Sequence, residues 1–232
     1  MTAYNGTDGR LASDDRSVPD DRLAPDKATL VVVDVQHDFC SPSGEMARRG
    51  RDVSSVPAAV EKINRLVTAA RAAGVPVVFV RTTHSPSDHA PSWRYRCGTE
   101  DPPTICAENS HGADFYDVAP GDSETVVTKH RYSAFGDPSF QKTIEASGRP
   151  SLVFTGVATN VCVETSLRDA VCADFFTTLV EDACAAYSPA AHEASVANVD
   201  TNFGFVTTTA AVEAVWSQER DTKTFETIDH IK

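Results

Sequence analysis

The chain alternates between short, continuously apolar runs and longer stretches with a helical period. "TLVVVDV" (29–35) is apolar without interruption up to Asp34, the pattern of a strand buried on both faces. In "VPAAVEKINRLVTAARAAG" the residues Val60, Ile63, Val67 and Ala70 fall on one helical face, and Gly74 supplies a stop. "VPVVFVRTT" (75–83) predicts a second strand, and "ETVVTKHRYSAFG" begins as a third that breaks at Lys129. "DPSFQKTIEASG" opens a helix with Asp137 as N-cap and Pro138 at the first helical position. A fourth strand, "PSLVFTGVATN", leads into a helix, "VCVETSLRDAVCA", with Val163, Leu167, Ala170 and Val171 aligned. "DFFTTLVEDA" predicts a fifth strand, "SPAAHEASVANVDTNFG" a helix with a Ser-Pro start, "FVTT" a sixth strand and "AAVEAVW" a closing helix.

Strand–helix alternation of this kind implies one α/β domain: a doubly wound, mainly parallel six-stranded sheet with helices on both faces. That domain is expected over 27–232. Residues 1–26, rich in Asp, Arg, Gly and Pro, are expected to form a flexible arm. Residues 84–124 have no clear period and carry Trp93, Tyr95, Phe115 and Tyr116. A loop of that length inside a compact domain is usually functional or locally structured.

Composition narrows the partners. A 232-residue chain with 41% hydrophobic residues suits a single domain. It shows neither a membrane-length apolar run nor an apolar signal core at its start. A net charge of −12 argues against nucleic acid and anionic membranes and leaves a small molecule as the expected partner. Cysteines stand at 40, 97, 106, 162, 172 and 184 without any C-x-x-C pair, which points to a reduced, cytoplasmic setting. Cys172 and Cys184 read as small core residues. Cys97 and Cys106, in the irregular stretch, carry no assigned role.

Ligands of a parallel sheet bind beyond the carboxyl ends of its strands. Three reactive side chains stand at such ends: Asp34 after "LVVV", Lys129 after "VVT" and Cys162 just after "LVFTGVAT". With Thr159 as N-cap, Cys162 falls in the first helical turn, where free N–H groups and the helix dipole favour a thiolate, and a nearby Lys129 would favour it further. Asp34 could take the thiol proton and pass one to a leaving nitrogen, while the N–H groups of Ala158 and Cys162 hold an oxyanion. Each residue alone has a plain structural reading: a packed thiol, a capping carboxylate, a solvated ammonium. Their joint appearance at three strand ends is what points to acyl transfer.

"VVVDVQHDFC", "VTKHRYSAF" and "LVFTGVATNVCVETSLRDA" resemble, in order and separation, the three signature segments of the isochorismatase-like cysteine hydrolases, over roughly residues 28–215. The resemblance implies a triad of Asp34, Lys129 and Cys162, a cis peptide at Val157–Ala158 and homo-oligomeric assembly. "RYSAF", "GVATNVCVETSLRDA" and "DTNFG" look like the ureidoacrylate amidohydrolase-like branch, which implies hydrolysis of a small amide, ureido or carbamoyl compound. Cys162 sets the chain apart from vinyl-ether-cleaving isochorismatases, which lack that nucleophile. Nicotinamidases carry an Asp-x-His…His metal set after the second strand. Here "RTTHSPSDHA" supplies His84 and His89 but a threonine in the aspartate's place, so neither a catalytic metal nor another cofactor is expected. Phe39, His84, Trp93, Tyr132 and Asn202 are candidates for lining the substrate pocket. The alternatives are a nicotinamidase-like amidase with a degenerate metal loop and a binding or scaffold protein that keeps the fold without turnover.

Overall fold

The computed structural model describes residues 20–99 and 104–217. In chain order the elements are α1 (Asp20–Leu23), β1 (Ala28–Val33), α2 (His37–Cys40), α3 (Glu45–Arg48), α4 (Val56–Ala73), β2 (Val77–Thr82), α5 (Pro91–Cys97), β3 (Thr125–Lys129), α6 (Pro138–Ser147), β4 (Ser151–Val157), α7 (Glu164–Cys172), β5 (Phe176–Ala185), α8 (Pro189–Asn202) and β6 (Phe205–Thr207). A last helix, α9, spans 209–217. The strands form one sheet in the order β3-β2-β1-β4-β5-β6, and every pairing is parallel. The chain starts at the centre, winds outward to β3, then returns to wind the other way from β4. The switch point therefore lies between β1 and β4, where α/β sheets open a crevice for ligands.

The apolar runs become strands because both faces of the central strands are covered. Leu30, Val32 and Phe79 face one side, where Ile63, Leu66 and Val67 of α4 and Trp216 of α9 pack. Val31, Val33, Val80 and Phe154 face the other, under Phe140 and Ile144 of α6, Leu167 of α7 and Val199 of α8. Every residue of β1 is buried, so no polar alternation could survive there. The helix ends follow their expected chemistry at two places. Gly74 ends α4 in the left-handed region at φ 73°. The Asp137 carboxylate accepts the Ser139 N–H at 2.8 Å and so caps α6.

Several expectations change. Residues 1–19 of the expected arm lie outside the described residues, but the arm reading does not extend to 20–26. Leu23 is buried, and its carbonyl accepts the Trp216 indole N–H at 2.8 Å. Cys172 is exposed at the end of α7 rather than in the core, whereas Cys184 is buried as expected. The 84–124 segment is locally structured among its described residues. A parallel bridge between His84 and Ala107 closes the segment on itself, and an antiparallel bridge between Gln36 and Phe115 ties it to the stretch after β1. No helix among the described residues is long and apolar enough to cross a membrane.

Gly156 lies beside Val33 in the β4–β1 ladder at φ 128°. A Cβ there would stand 2.0 Å from the Val33 carbonyl oxygen, so only glycine lets the two strands meet at the switch point. Gly156→Ala should destabilise the fold by more than about 2 kcal/mol, measured by urea unfolding.

Candidate active site

The carboxyl ends of β1, β2 and β3 meet in one buried polar network. Asp34 leaves β1 at φ 53°, an uncommon conformation that a short polar side chain tolerates better than a bulky one. Its Oδ2 accepts a hydrogen bond from Lys129 Nζ at 2.7 Å, and its Oδ1 accepts one from the Thr82 hydroxyl at 3.0 Å. Lys129 Nζ also donates to Thr82 Oγ1 at 2.6 Å and to the Arg131 carbonyl at 3.0 Å. All three ammonium protons are thereby directed, and both carboxylate oxygens are occupied. Asp34, Thr82 and Lys129 are all buried.

Gln36 fixes the end of β2 on which Thr82 sits. Its Oε1 accepts the Thr82 N–H at 2.7 Å, and its Nε2 donates to the carbonyls of Thr82 and Ala113, each at 2.8 Å. Sequence reasoning passed over Gln36 and saw in Thr82 only a missing metal ligand. Thr82, two residues before His84, is the threonine that stands in the place of a metal-binding aspartate, and here its hydroxyl is spent on Asp34 and Lys129.

Cys162 completes the cluster from the far side of the switch point. It lies in a one-turn π-helical segment, Thr159–Val163, that joins β4 to α7, and the Val157–Ala158 peptide before it is cis, as the family resemblance implies. Its thiol is buried close enough to Asp34 and Lys129 for both charges to act on it. Thr159 does not cap the helix as expected: the N-cap position is Ala158, and Thr159 Oγ1 instead pairs with His192 Nδ1 at 2.9 Å. The turn is braced from two helices. Ser195 and Asn198 of α8 both hydrogen-bond to the Glu164 carboxylate. Ser166 Oγ donates to the Cys162 carbonyl at 2.6 Å and accepts the Ala134 N–H at 2.9 Å, which ties the "RYSAF" stretch to the nucleophile turn.

The electrostatics differ from the sequence expectation of a primed thiolate. Burial pushes the Cys162 thiol up, the Asp34 charge adds to the rise, and the Lys129 ammonium opposes it without cancelling it. The net shift is upward, so the resting group is a thiol near a carboxylate that can receive its proton. For Lys129, burial alone would lower the pKa, but the Asp34 carboxylate and Cys162 turn the net shift upward, which keeps the ammonium charged.

The pocket candidates divide. His84 is half-buried, and its pKa falls to about 4 through burial and the charges of Lys129, His89 and His130. It is a neutral imidazole next to the cluster. Phe39, on α2, packs against the core and against Ile105 and Cys106, and its carbonyl accepts the Tyr187 hydroxyl at 3.1 Å. Tyr187, two residues past β5, was missed by sequence reasoning. Trp93 is half-buried on α5, and Tyr132 is 49% exposed. Asn202 is a correction. It is exposed at the last residue of α8, bonded to Asn198, at the end of the helix remote from the strands' carboxyl ends. The α8 residues that reach the nucleophile turn are His192, Ser195 and Asn198.

The isochorismatase domain family matches residues 28–211. The ureidoacrylate amidohydrolase RutB of Methylobacterium radiotolerans is 37% identical over 200 residues, covering 80% of this chain and 78% of that protein. The protein of the same name from Azorhizobium caulinodans is 34% identical over 208 residues, covering 83% and 92%. Among solved structures, a cysteine hydrolase from Pseudomonas syringae pv. phaseolicola superposes with a TM-score of 0.74 at 27% identity, over 84% of this chain and 94% of that one. Nicotinamidase PncA from Bacillus subtilis superposes with a TM-score of 0.65 at 20% identity, over 78% and 99%, a likeness of fold alone.

Two measurements check this network. Thr82→Val keeps the side chain's shape but removes its hydroxyl, leaving Asp34 Oδ1 and one Lys129 proton without a partner. It should cost about 1–3 kcal/mol in urea unfolding and lower kcat/KM with it. His84, with a folded pKa of about 4 against an ordinary 6.5, binds fewer protons folded than unfolded in that interval. Stability should therefore fall as pH drops from 6.5 towards 4, and His84→Phe should flatten that slope in pH-dependent unfolding.

Proposed function

The chain belongs to the isochorismatase family, and on that premise we propose that it is a cysteine amidohydrolase that cleaves a C–N bond of a small amide, ureido or carbamoyl compound. The observation that carries the reading is the buried Asp34–Lys129 pair standing against the Cys162 thiol. Similarity to proteins named ureidoacrylate amidohydrolase supports the ureido end of that substrate range.

In this reading Asp34 takes the Cys162 proton as the sulfur attacks the substrate carbonyl carbon, and a tetrahedral oxyanion forms. The N–H groups of Ala158 and Cys162 receive that oxyanion, and Lys129 holds the local charge. Asp34 then returns the proton to the nitrogen, the C–N bond breaks, and ammonia or an amine leaves a thioester on Cys162. Water, deprotonated by Asp34, attacks the thioester carbonyl. The acid departs, and the proton returns to sulfur. Net, one amide and one water become one acid and one amine. Because burial holds the thiol's pKa high, the general base is required rather than accessory.

His84, Phe39, Trp93 and Tyr132 belong to this reading as residues that shape the substrate pocket, with Tyr187 added by its hydrogen bond to Phe39. A cytoplasmic setting and homo-oligomeric assembly belong to it as well. The six free cysteines are what a reducing compartment maintains.

Ammonia release should be screened over ureidoacrylate, biuret, N-carbamoyl amino acids, nicotinamide and simple aliphatic amides. A turned-over ureido or carbamoyl compound is the expected result. Cys162→Ala should fold as the parent does and lose essentially all turnover, and rapid quenching of the parent enzyme should reveal by mass spectrometry an acyl adduct on Cys162 that the variant lacks. Turnover persisting in pure Cys162→Ala protein would remove the covalent route.

A further inference from the structure

The two strands that carry Thr82 and Lys129 toward the reactive cluster carry other side chains on their opposite face. There Arg81, Thr83, Thr128 and His130 line a cavity of about 310 Å³, roofed by the 108–114 stretch, which contributes Glu108 and Asp114. The volume is at the lower end of what small-molecule pockets span. None of these side chains belongs to the cluster of Asp34, Thr82, Lys129 and Cys162.

Arg81 is the unusual member. Its guanidinium is half-buried, and its Nε donates to Thr128 Oγ1 at 3.0 Å. Among the described residues no carboxylate lies within ion-pair distance of it. Other arginines that meet a carboxylate bind it through the guanidinium fork, as Arg71 does with Glu124 and Arg168 with Glu164. With its Nε given to Thr128, Arg81 keeps its two terminal nitrogens without a hydrogen-bond partner among the described residues, and this end of the guanidinium can also hold a carboxylate through two parallel N–H bonds. His130 is fixed through Nδ1 at 2.7 Å from the Thr83 carbonyl, so its remaining ring nitrogen is the free one. Glu108 and Asp114 bring two exposed carboxylates to the same cavity, and Asp114 Oδ2 lies 3.4 Å from His111 Nδ1.

We propose that this cavity is a second binding site, separate from the reactive cluster, for a small zwitterion whose carboxylate is held by Arg81 and whose ammonium or other N–H donor end meets Glu108 and Asp114. Its floor residues alternate along β2 and β3 with Thr82 and Lys129, so occupancy would bear directly on the two strand ends that hold the ion pair.

The test is ligand binding to the full chain, followed by isothermal titration and saturation-transfer NMR. The probes are the ω-amino acids from glycine to 6-aminohexanoate, with propionate and butylamine as single-ended controls and inorganic phosphate as the competing oxyanion. One chain length in the amino-acid series should bind best, more tightly than either single-ended control and than phosphate. Arg81→Gln should weaken it by about tenfold or more, the loss of a charge-assisted hydrogen bond. Asp114→Asn, at an exposed position, should weaken the amino acid and leave propionate unchanged, a pattern that misfolding does not produce. Saturable binding that both variants leave intact, binding by phosphate alone, or no binding by any probe overturns the proposal. Because no turnover is measured, a failed hydrolase reading and a failed second site remain distinguishable.

Discussion

The site depends on one ion pair placed out of reach of water. Burying a carboxylate and an ammonium costs several kcal/mol for each ion, and mutual attraction offsets it only where the remaining hydrogen-bonding capacity is also met. The strand order explains how that condition is satisfied. Lys129 ends the edge strand β3, Asp34 follows the central strand β1, and β2 lies between them. Two strand spacings are about 9–10 Å, a distance that the lysine side chain, the 2.7 Å hydrogen bond and the aspartate side chain cover together. Thr82 is paired with Lys129 in the β2–β3 register, directly beneath the bridge. A larger residue there would block the lysine, and an apolar one would leave each ion short of a partner. Threonine is small enough and carries the one hydroxyl that can accept from the ammonium while donating to the carboxylate.

The nucleophile comes from the other half of the winding, so its position relative to the ion pair rests on how closely β4 approaches β1. Gly156 permits that approach, since the space for a side chain is filled by the Val33 backbone one residue before Asp34. Beyond it, the turn that carries Cys162 is held by hydrogen bonds rather than by apolar packing alone. His192, Ser195 and Asn198 reach it from α8, and Ala134 reaches it through Ser166. The stretch after Lys129 and the stretch around Cys162 are thus mechanically joined, although thirty or so residues and a whole helix–strand unit separate them in the chain. Their joint appearance as recognisable segments of sequence has a physical basis in that contact.

What the sequence revealed and what it hid divide along locality. A continuously apolar run, a Gly stop after α4 and an Asp-Pro helix start are local signals, and each corresponds to an observed strand or helix end. The strand-end rule then located Asp34, Lys129 and Cys162, because a parallel sheet puts all its carboxyl ends on one edge. Thr82 and Gln36 could not be found this way. Their importance arises from pairing between strands, and a threonine at the end of an apolar run looks like any strand residue. Asn202 failed for a related reason. "DTNFG" looks like a family segment, but after β5 the helix α8 runs back down the sheet, so its first turn lies at the site and its last residue does not. Cys172 was assigned to the core on composition alone, whereas its place in the last turn of α7 leaves it facing solvent.

A protonated thiol at rest is a poor nucleophile only if the sulfur is considered alone. In the proposed mechanism the cluster holds one carboxylate, one ammonium and one neutral thiol at rest, with no net charge. When the proton moves from sulfur to Asp34 and the sulfur bonds to carbon, the negative charge passes to the substrate oxygen while the ammonium stays where it is. The buried site is again neutral overall, and no uncompensated charge is created in a region where its solvation would be expensive. A thiolate formed in advance would put a second anion beside Asp34 with only one ammonium to balance both. The upward shift of Cys162 follows first from its burial, with the charge of Asp34 added. The arrangement postpones sulfur ionisation until a carbonyl oxygen is present to take the charge, and it makes the proton that leaves sulfur the one the departing nitrogen needs.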